Sequence, residues 1–173
     1  MRPPDPPGGT AYRGLLYRAL NPVYARDPLS GEGARRHGGR FNARGTPALY
    51  LSLSPATALR EANQVGTLQR TTLVALRADL ASLVDGRDAA ALARWDARPA
   101  DLADPSWRDL MLRGAPVPTQ DLAARLAGAG HVGLIVPSYA RGAGAADVNL
   151  VLWRWSTGAD DALAVVDDEG RLG

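Results

Sequence analysis

The chain is organised around the stretch of residues 38–61, which reads GGRFNARGTPALYLSLSPATALRE. A glycine-rich turn opens it, and the apolar segment 48–52 predicts a β-strand. Ser54 and Pro55 then predict the start of a helix, because a serine hydroxyl caps first-turn N–H groups and proline is tolerated at the first helical position. The stretch is therefore predicted to fold as a turn, a strand and a helix in direct succession.

Three side chains of this stretch, Arg40, Tyr50 and Glu61, are of types that catalysis uses and that packing seldom requires. The strand would present an aromatic ring, the helix a carboxylate, and the arginine would lie beside both. A site formed by these three side chains, called the corner below, suits a phosphate-bearing substrate whose reacting atom develops positive charge. The structural alternatives are an ion pair for Arg40, a core aromatic for Tyr50 and a solvated helix residue for Glu61.

Composition and length narrow the class of protein. The chain has 173 residues, of which 46% are hydrophobic, so we expect one domain with a real core. It has no cysteine, which excludes disulfide and thiolate chemistry and fits a reducing cytosol. No segment approaches the roughly 18 apolar residues of a membrane helix, and the first residues do not resemble a signal peptide. We therefore expect a soluble, cytoplasmic protein with no membrane partner.

Residues 1–11 are rich in proline and glycine and predict a flexible N-terminal arm, so that residues 12–173 form the domain. Strands dominate both ends of the chain, and helices lie between them, which predicts the α+β class. Residues 21–36 have no clear period and predict a loop, and Trp107 is expected to be a packing residue. Strands are predicted over 12–20, 48–52, 71–78, 131–136, 149–155 and 163–166, and further helices over 88–95, 105–113 and 119–126.

The order and spacing of the residues in the 38–61 stretch resemble those of the RES-domain family. Its members are toxins of bacterial toxin–antitoxin pairs, and the family is named for an arginine, a glutamate and a serine. Weaker matches lie at Tyr17-Arg18, at Pro137-Ser138 and over 149–153 and 168–172. The resemblance extends over nearly the whole chain from about residue 12. Within the opening stretch the family pattern is met by Gly38, Gly39, Arg40, Phe41, Asn42, Gly45, Thr46, Pro47, Tyr50, Ser54, Pro55 and Glu61.

The resemblance implies a fold, a substrate and a partner. The fold would be similar to that of ADP-ribosyltransferases, with a split, strongly bent mixed sheet and peripheral helices. The RES-like catalytic domain, residues 12–173, would take NAD as its substrate and need no metal. It would act as the toxin of a type II toxin–antitoxin pair by cleaving the nicotinamide–ribose bond, with water or phosphate as acceptor. Its partner would be a helix-turn-helix, Xre-like antitoxin.

The same resemblance assigns roles to the catalytic candidates. Glu61 would stabilise an oxocarbenium-like ribose, which agrees with the chemistry of glycosidic cleavage. Tyr50 would lie against the nicotinamide ring, with its hydroxyl free to form hydrogen bonds. Arg40 would hold the diphosphate, since guanidinium binds phosphate through paired hydrogen bonds.

Further residues are candidates for binding NAD. Arg18 would assist Arg40 on the diphosphate, the alternative being a solvated strand end. Ser138 would orient the ribose or Glu61, the alternative being a simple cap at the end of a strand. Asn42 and Asn149 are weaker candidates that lie in matched motifs.

Two other functions remain open at this point. The first is mono-ADP-ribosylation of a host protein by the same corner. Many transferases of this fold carry Glu or Gln two residues before the catalytic Glu, where this chain has Leu59. The second is a non-enzymatic, basic nucleic-acid-binding module built on the arginine-rich first third, although the net charge is only +2.

Overall fold

The computed structural model describes residues 6–63, 70–158 and 160–170. Residues 1–5 of the predicted arm, and Arg171 and Leu172 of the matched ending, lie outside this part of the chain. The strands within it are β1 (Thr10–Leu20), β2 (Leu49–Ser52), β3 (Thr72–Asp85), β4 (Gly133–Pro137), β5 (Val148–Leu152) and β6 (Ala162–Val165). The helices are α1 (Glu32–His37), α2 (Pro55–Ala62), α3 (Ala89–Ala93), α4 (Pro99–Ala103), α5 (Trp107–Leu112) and α6 (Pro118–Gly128), with a 3₁₀ turn over Pro22–Tyr24.

Strand β3 organises the sheet because it pairs with three other strands. It runs antiparallel to β1 and β6 and parallel to β4. Strand β5 lies antiparallel to both β4 and β2, and β2 pairs antiparallel with β1. Because β1 pairs with both β2 and β3, the first five strands close into a barrel to which β6 adds an edge. The predicted α+β class, a single domain with a mixed sheet and peripheral helices, is confirmed.

Two hydrophobic cores lie on opposite faces of this sheet. Strand β4 shows the division: Ile135 packs into the first core, whereas Leu134 and Val136 pack into the second. The first core fills the barrel with fully buried leucines of several strands, such as Leu16 and Leu150. The second core lies under the helices and joins α3, α4 and α6 to the outer face of the sheet.

Helix α2 begins as its sequence predicts. The Ser54 hydroxyl accepts a hydrogen bond from the Thr57 N–H at 3.1 Å, and Pro55 occupies the first turn. The helix packs against β1 and β2. The predicted succession of turn, strand and helix over residues 38–61 is therefore confirmed.

Several predicted boundaries are wrong. The loop predicted over 21–36 contains the 3₁₀ turn and most of α1, in which Glu32 pairs with Arg35 and Arg36 one turn away. Such pairs stabilise a short helix that has no hydrophobic period. Strand β3 continues past its predicted end at 78 to Asp85, and β1 begins inside the predicted arm, at Thr10. Helix α4 was not predicted.

None of the helices in the described part of the chain is long and apolar enough to cross a membrane.

Removing the cap of α2 tests the local origin of this helix. We expect Ser54→Ala to destabilise the protein by about 1 kcal/mol, because the Thr57 N–H loses its acceptor. Ser54→Asn, which restores a capping oxygen, should recover most of the loss. The measurement is the free energy of unfolding in denaturant, and equal values for the two variants would contradict the capping role.

Candidate active site

The candidate site forms where β2 and β5 run side by side. Tyr50 pairs with Val151, and Ser52 pairs with Asn149. Paired residues of antiparallel strands point to the same face, as do residues two apart on one strand. These four side chains therefore share one face of the sheet, and helix α2 brings Glu61 onto it.

Glu61 is held by hydrogen bonds from two strand segments. Its Oε1 atom accepts one from the Ser138 hydroxyl and one from the Asn149 side-chain amide, each at 2.5 Å. The Asn149 Oδ1 atom in turn accepts a hydrogen bond from the Ser52 hydroxyl at 2.7 Å, which turns the Asn149 amide nitrogen toward Glu61. The orientation of the carboxylate is thus set by residues from β2, β5 and the end of β4.

Tyr50 is anchored by its hydroxyl, although the residue as a whole is 37% exposed. The hydroxyl donates to Asn42 Oδ1 at 2.7 Å and accepts from the Phe41 N–H at 3.1 Å. Burial raises the pKa of the Tyr50 hydroxyl well above its ordinary value, so it stays neutral. The expectation of a free hydroxyl is therefore wrong, because this group is already engaged within the protein.

Asn42 lies beneath the site rather than in it. Its side chain is buried, and its amide nitrogen donates to the carbonyl oxygens of Ala34 and Thr46 at 2.9 Å each. The Asn42 oxygen accepts the bond from Tyr50. Asn42 therefore has a structural position, in which it links the glycine-rich turn to the Tyr50 hydroxyl.

Arg40 projects between two aromatic rings. The carbon of its guanidinium lies 4.5 Å from the ring centroid of Tyr139 and 5.6 Å from that of Trp107, distances typical of cation–π contacts. Its Nη1 atom donates to the carbonyl oxygens of Leu102 and Asp104 at 2.9 Å each. Burial lowers the pKa of Arg40, but arginine remains protonated in proteins. Among the described residues no carboxylate forms an ion pair with it.

A cavity of about 240 Å³ joins these groups. A carboxylate, a cation and several aromatic rings thus face one space, which can accept a ligand with both anionic and electron-poor parts. Within the described ranges, no three histidine, aspartate or glutamate side chains lie close enough to hold a metal. The walls of the cavity include Arg40, Tyr50, Glu61, Trp107, Tyr139 and Asn149.

Arg18 does not join this group. It follows Tyr17, which pairs with Ser52 on the site face, so its side chain points to the opposite face of the sheet. There its Nη1 atom donates to the carbonyl oxygens of Pro28 and Ser30, at 2.6 and 3.0 Å. Arg18 lines a second cavity, of about 370 Å³, beside the 3₁₀ turn and α1.

Sequence reasoning missed three residues of the site. Ser52 orients Asn149, and the rings of Tyr139 and Trp107 lie on either side of Arg40, although Trp107 was expected to be a packing residue. The available signal for Ser52 was its place as the polar residue of an otherwise apolar strand, Leu49–Ser52. The α5 segment carried no signal, because its approach to Arg40 depends on tertiary packing.

A second cluster fixes α2 against the loop that precedes β5. Asp147 Oδ1 accepts hydrogen bonds from the Thr57 hydroxyl, at 2.7 Å, and from Arg60, while its Oδ2 accepts from the Gly144 N–H at 2.8 Å. The bond from Gly144, followed by that from Thr57, lowers the pKa of the Asp147 carboxyl. The cluster holds the helix that carries Glu61 next to the strand that carries Asn149.

An α+β barrel with a carboxylate, an arginine and a tyrosine around one cavity defines the structural class, and comparison with known proteins then identifies the family. The RES domain model matches residues 15–172, so the chain belongs to the RES domain family. A chain in the crystal structure of the M. tuberculosis MbcT–MbcA toxin–antitoxin complex has the same fold, with a TM-score of 0.59 and 21% sequence identity over 92% of this chain and 85% of that chain. No protein of curated function matches the sequence significantly.

Gly39 makes room for the anchored tyrosine. A Cβ atom at this position would lie 2.5 Å from the Tyr50 hydroxyl oxygen and 2.8 Å from Asn42 Oδ1. We expect Gly39→Ala to destabilise the protein by about 1–3 kcal/mol, as other overpacked sites do. Gly33→Ala is the matched control, because nothing lies within 4 Å of its added Cβ in helix α1. Denaturant unfolding checks both variants, and equal stabilities would show that the turn tolerates the methyl group.

The Asp147 cluster predicts a pH dependence. A carboxyl whose pKa is lowered by folding contributes stability above its ordinary pKa and loses it as the pH falls through the lowered value. We therefore expect the stability advantage of the wild-type protein over Asp147→Asn to be larger at about pH 7 than at about pH 3. Unfolding in urea at both pH values measures the difference, and a difference independent of pH would refute the assignment.

Proposed function

We propose that this protein is a toxin that cleaves the bond between nicotinamide and ribose in NAD. The observation that carries the proposal is the Glu61 carboxylate, held on one oxygen by Ser138 and Asn149 at the wall of a cavity that also contains Arg40. Membership of the RES domain family supports it.

The reaction requires charge stabilisation more than proton transfer. When the bond breaks, its electron pair leaves with nicotinamide, and the ribose carbon becomes oxocarbenium-like. A carboxylate already oriented toward that carbon stabilises the developing positive charge without reorganising. Two hydrogen bonds to Glu61 Oε1 supply this orientation, which is why Ser138 and Asn149 belong to the proposed machinery.

Arg40 is the proposed partner of the diphosphate. Its Nη1 donors are committed to two backbone carbonyls, which fix the guanidinium in place. Among the described residues, the structure gives no acceptor to Nε or Nη2. That edge can therefore donate paired hydrogen bonds to a phosphate. The exposed Tyr50 ring is the proposed contact of nicotinamide.

Two acceptors are compatible with this site. Attack by water gives ADP-ribose, and attack by phosphate gives its 1-phosphate. Transfer to a protein side chain is the remaining alternative. Leu59, which is 41% exposed, offers no polar group to activate such an acceptor, and this favours a small-molecule acceptor.

We also propose that the protein is neutralised by a cognate antitoxin in the cytoplasm. The MbcT–MbcA structure, which shares this fold, is a toxin–antitoxin complex. The resemblance stated above implies a helix-turn-helix, Xre-like partner.

A nucleic-acid-binding function is not supported by the placement of the arginines. Arg35 and Arg36 pair with Glu32, and Arg13 pairs with Asp79. These ion pairs neutralise part of the positive charge in the first third of the chain, which reduces the charge available for phosphate contacts.

Replacing the carboxylate tests the proposed function. Purified wild-type protein should release nicotinamide from NAD, and Glu61→Gln should lower the rate by about 10²–10³ because the transition-state charge loses its counter-charge. Glutamine keeps an oxygen for Ser138 and Asn149, so the variant should fold normally. Glu32→Gln, which changes a carboxylate on helix α1, should keep full activity.

Chromatography of the products separates the alternatives. ADP-ribose alone indicates water as acceptor, and a phosphate-dependent sugar phosphate indicates phosphorolysis. If nicotinamide appears only with cell lysate and labelled ADP-ribose ends on one protein band, the transferase function is correct. Intact NAD under every condition would overturn the proposal.

A further inference from the structure

The hydroxyl of Tyr139 is buried and, among the described residues, has no hydrogen-bond partner. Buried hydroxyls are nearly always paired in native proteins, because an unpaired one keeps the cost of losing its water. Nothing in the fold explains this exception. Because Tyr139 is one of the residues that line the cavity, a bound ligand is a candidate partner for this unmet polar group.

Local hydrogen bonds fix the position of Tyr139. The preceding Ser138 hydroxyl bonds Glu61 and also accepts from the Ala140 N–H at 3.2 Å. The turn that carries Tyr139 is therefore tied to the proposed catalytic carboxylate. Its ring forms part of the wall of the same cavity.

Arg40 lies against this ring, and both residues line the cavity. Its guanidinium carbon is 4.5 Å from the Tyr139 ring centroid, and two backbone carbonyls hold its Nη1 atom. The guanidinium edge and the tyrosine hydroxyl together form a set of donors without an acceptor among the described residues. Burial raises the pKa of Tyr139 to about 12, so the hydroxyl keeps its proton at neutral pH and can donate.

We propose that Tyr139 is a substrate-binding residue that donates a hydrogen bond to a phosphate oxygen of the dinucleotide bound by Arg40. The inference rests on the proposed function for the identity of the dinucleotide. The part that does not depend on that function is that the Tyr139 hydroxyl and the Arg40 guanidinium bind one phosphate group together; we call this pair the phosphate cradle. An oxygen of a phosphate satisfies both donors, and it carries the charge that the cation attracts.

The cradle predicts that stability and binding respond in opposite directions to one substitution. Tyr139→Phe removes an unsatisfied polar atom, so the free protein should melt about 2–4 °C higher. The same variant should raise KM for NAD roughly tenfold with little change in kcat, because it loses a hydrogen bond to the bound substrate. Tyr12→Phe is the matched control, since the Tyr12 hydroxyl is satisfied by the Leu15 carbonyl oxygen at 2.7 Å. It should not raise the melting temperature or KM.

Two probes test the phosphate assignment. Nicotinamide riboside has the scissile bond but no phosphate, so Tyr139→Phe should leave its KM unchanged. Inorganic pyrophosphate has the phosphates but no scissile bond. Calorimetry should show that it binds the wild-type protein and binds Tyr139→Phe several-fold more weakly.

The outcomes separate this inference from the proposed function. If NAD is cleaved but Tyr139→Phe has the wild-type KM, the cradle is wrong and the function stands. If NAD is not cleaved but pyrophosphate binding depends on Tyr139, the cradle stands and the function is wrong. The phosphate contact would be wrong if Tyr139→Phe raised KM equally for NAD and for the riboside. It would also be wrong if the substitution left the affinity for pyrophosphate unchanged.

Discussion

The candidate site depends on the pair of hydrogen bonds that Ser138 and Asn149 donate to one oxygen of Glu61. The three residues come from the end of β4, from β5 and from helix α2, so the carboxylate can be oriented only when these elements are assembled. A carboxylate on a solvated helix face would turn freely. It would have to be oriented during the reaction, and the free-energy cost of this reorganisation would offset the stabilisation of the developing charge. Ser52 extends the same constraint by fixing the Asn149 amide.

Closure of the sheet makes this assembly possible. Strand β1 pairs with both β2 and β3 and so closes the barrel. Within it, β2 of the residue 38–61 stretch pairs directly with β5, nearly a hundred residues later in the chain. The leucines inside the barrel and the apolar residues beneath the helices hold the two faces together. Asp147 adds a polar link between α2 and the loop before β5. The site is thus a product of long-range pairing, although Tyr50, Glu61 and Asn149 each lie in a strand or helix that local patterns predict.

This difference explains which parts of the molecule could be predicted from sequence. The Ser54 cap, the β2 strand and the α+β class follow from local patterns and were predicted correctly. The register of β1 against β2 has no local signature, and it is this register that turns Arg18 away from Tyr50 and Glu61. For the same reason the engaged hydroxyl of Tyr50 and the approach of Trp107 to Arg40 could not be foreseen. Both features depend on contacts between residues that are not neighbours in the sequence.

In the proposed mechanism, Glu61 stabilises positive charge on the ribose carbon as nicotinamide departs. The most direct test is the secondary kinetic isotope effect on nicotinamide release from NAD with deuterium on that carbon. Because an oxocarbenium-like centre loosens the bond to the isotope, we expect unlabelled NAD to react measurably faster. Equal rates, with release that persists undiminished in Glu61→Gln, would show that this mechanism is wrong.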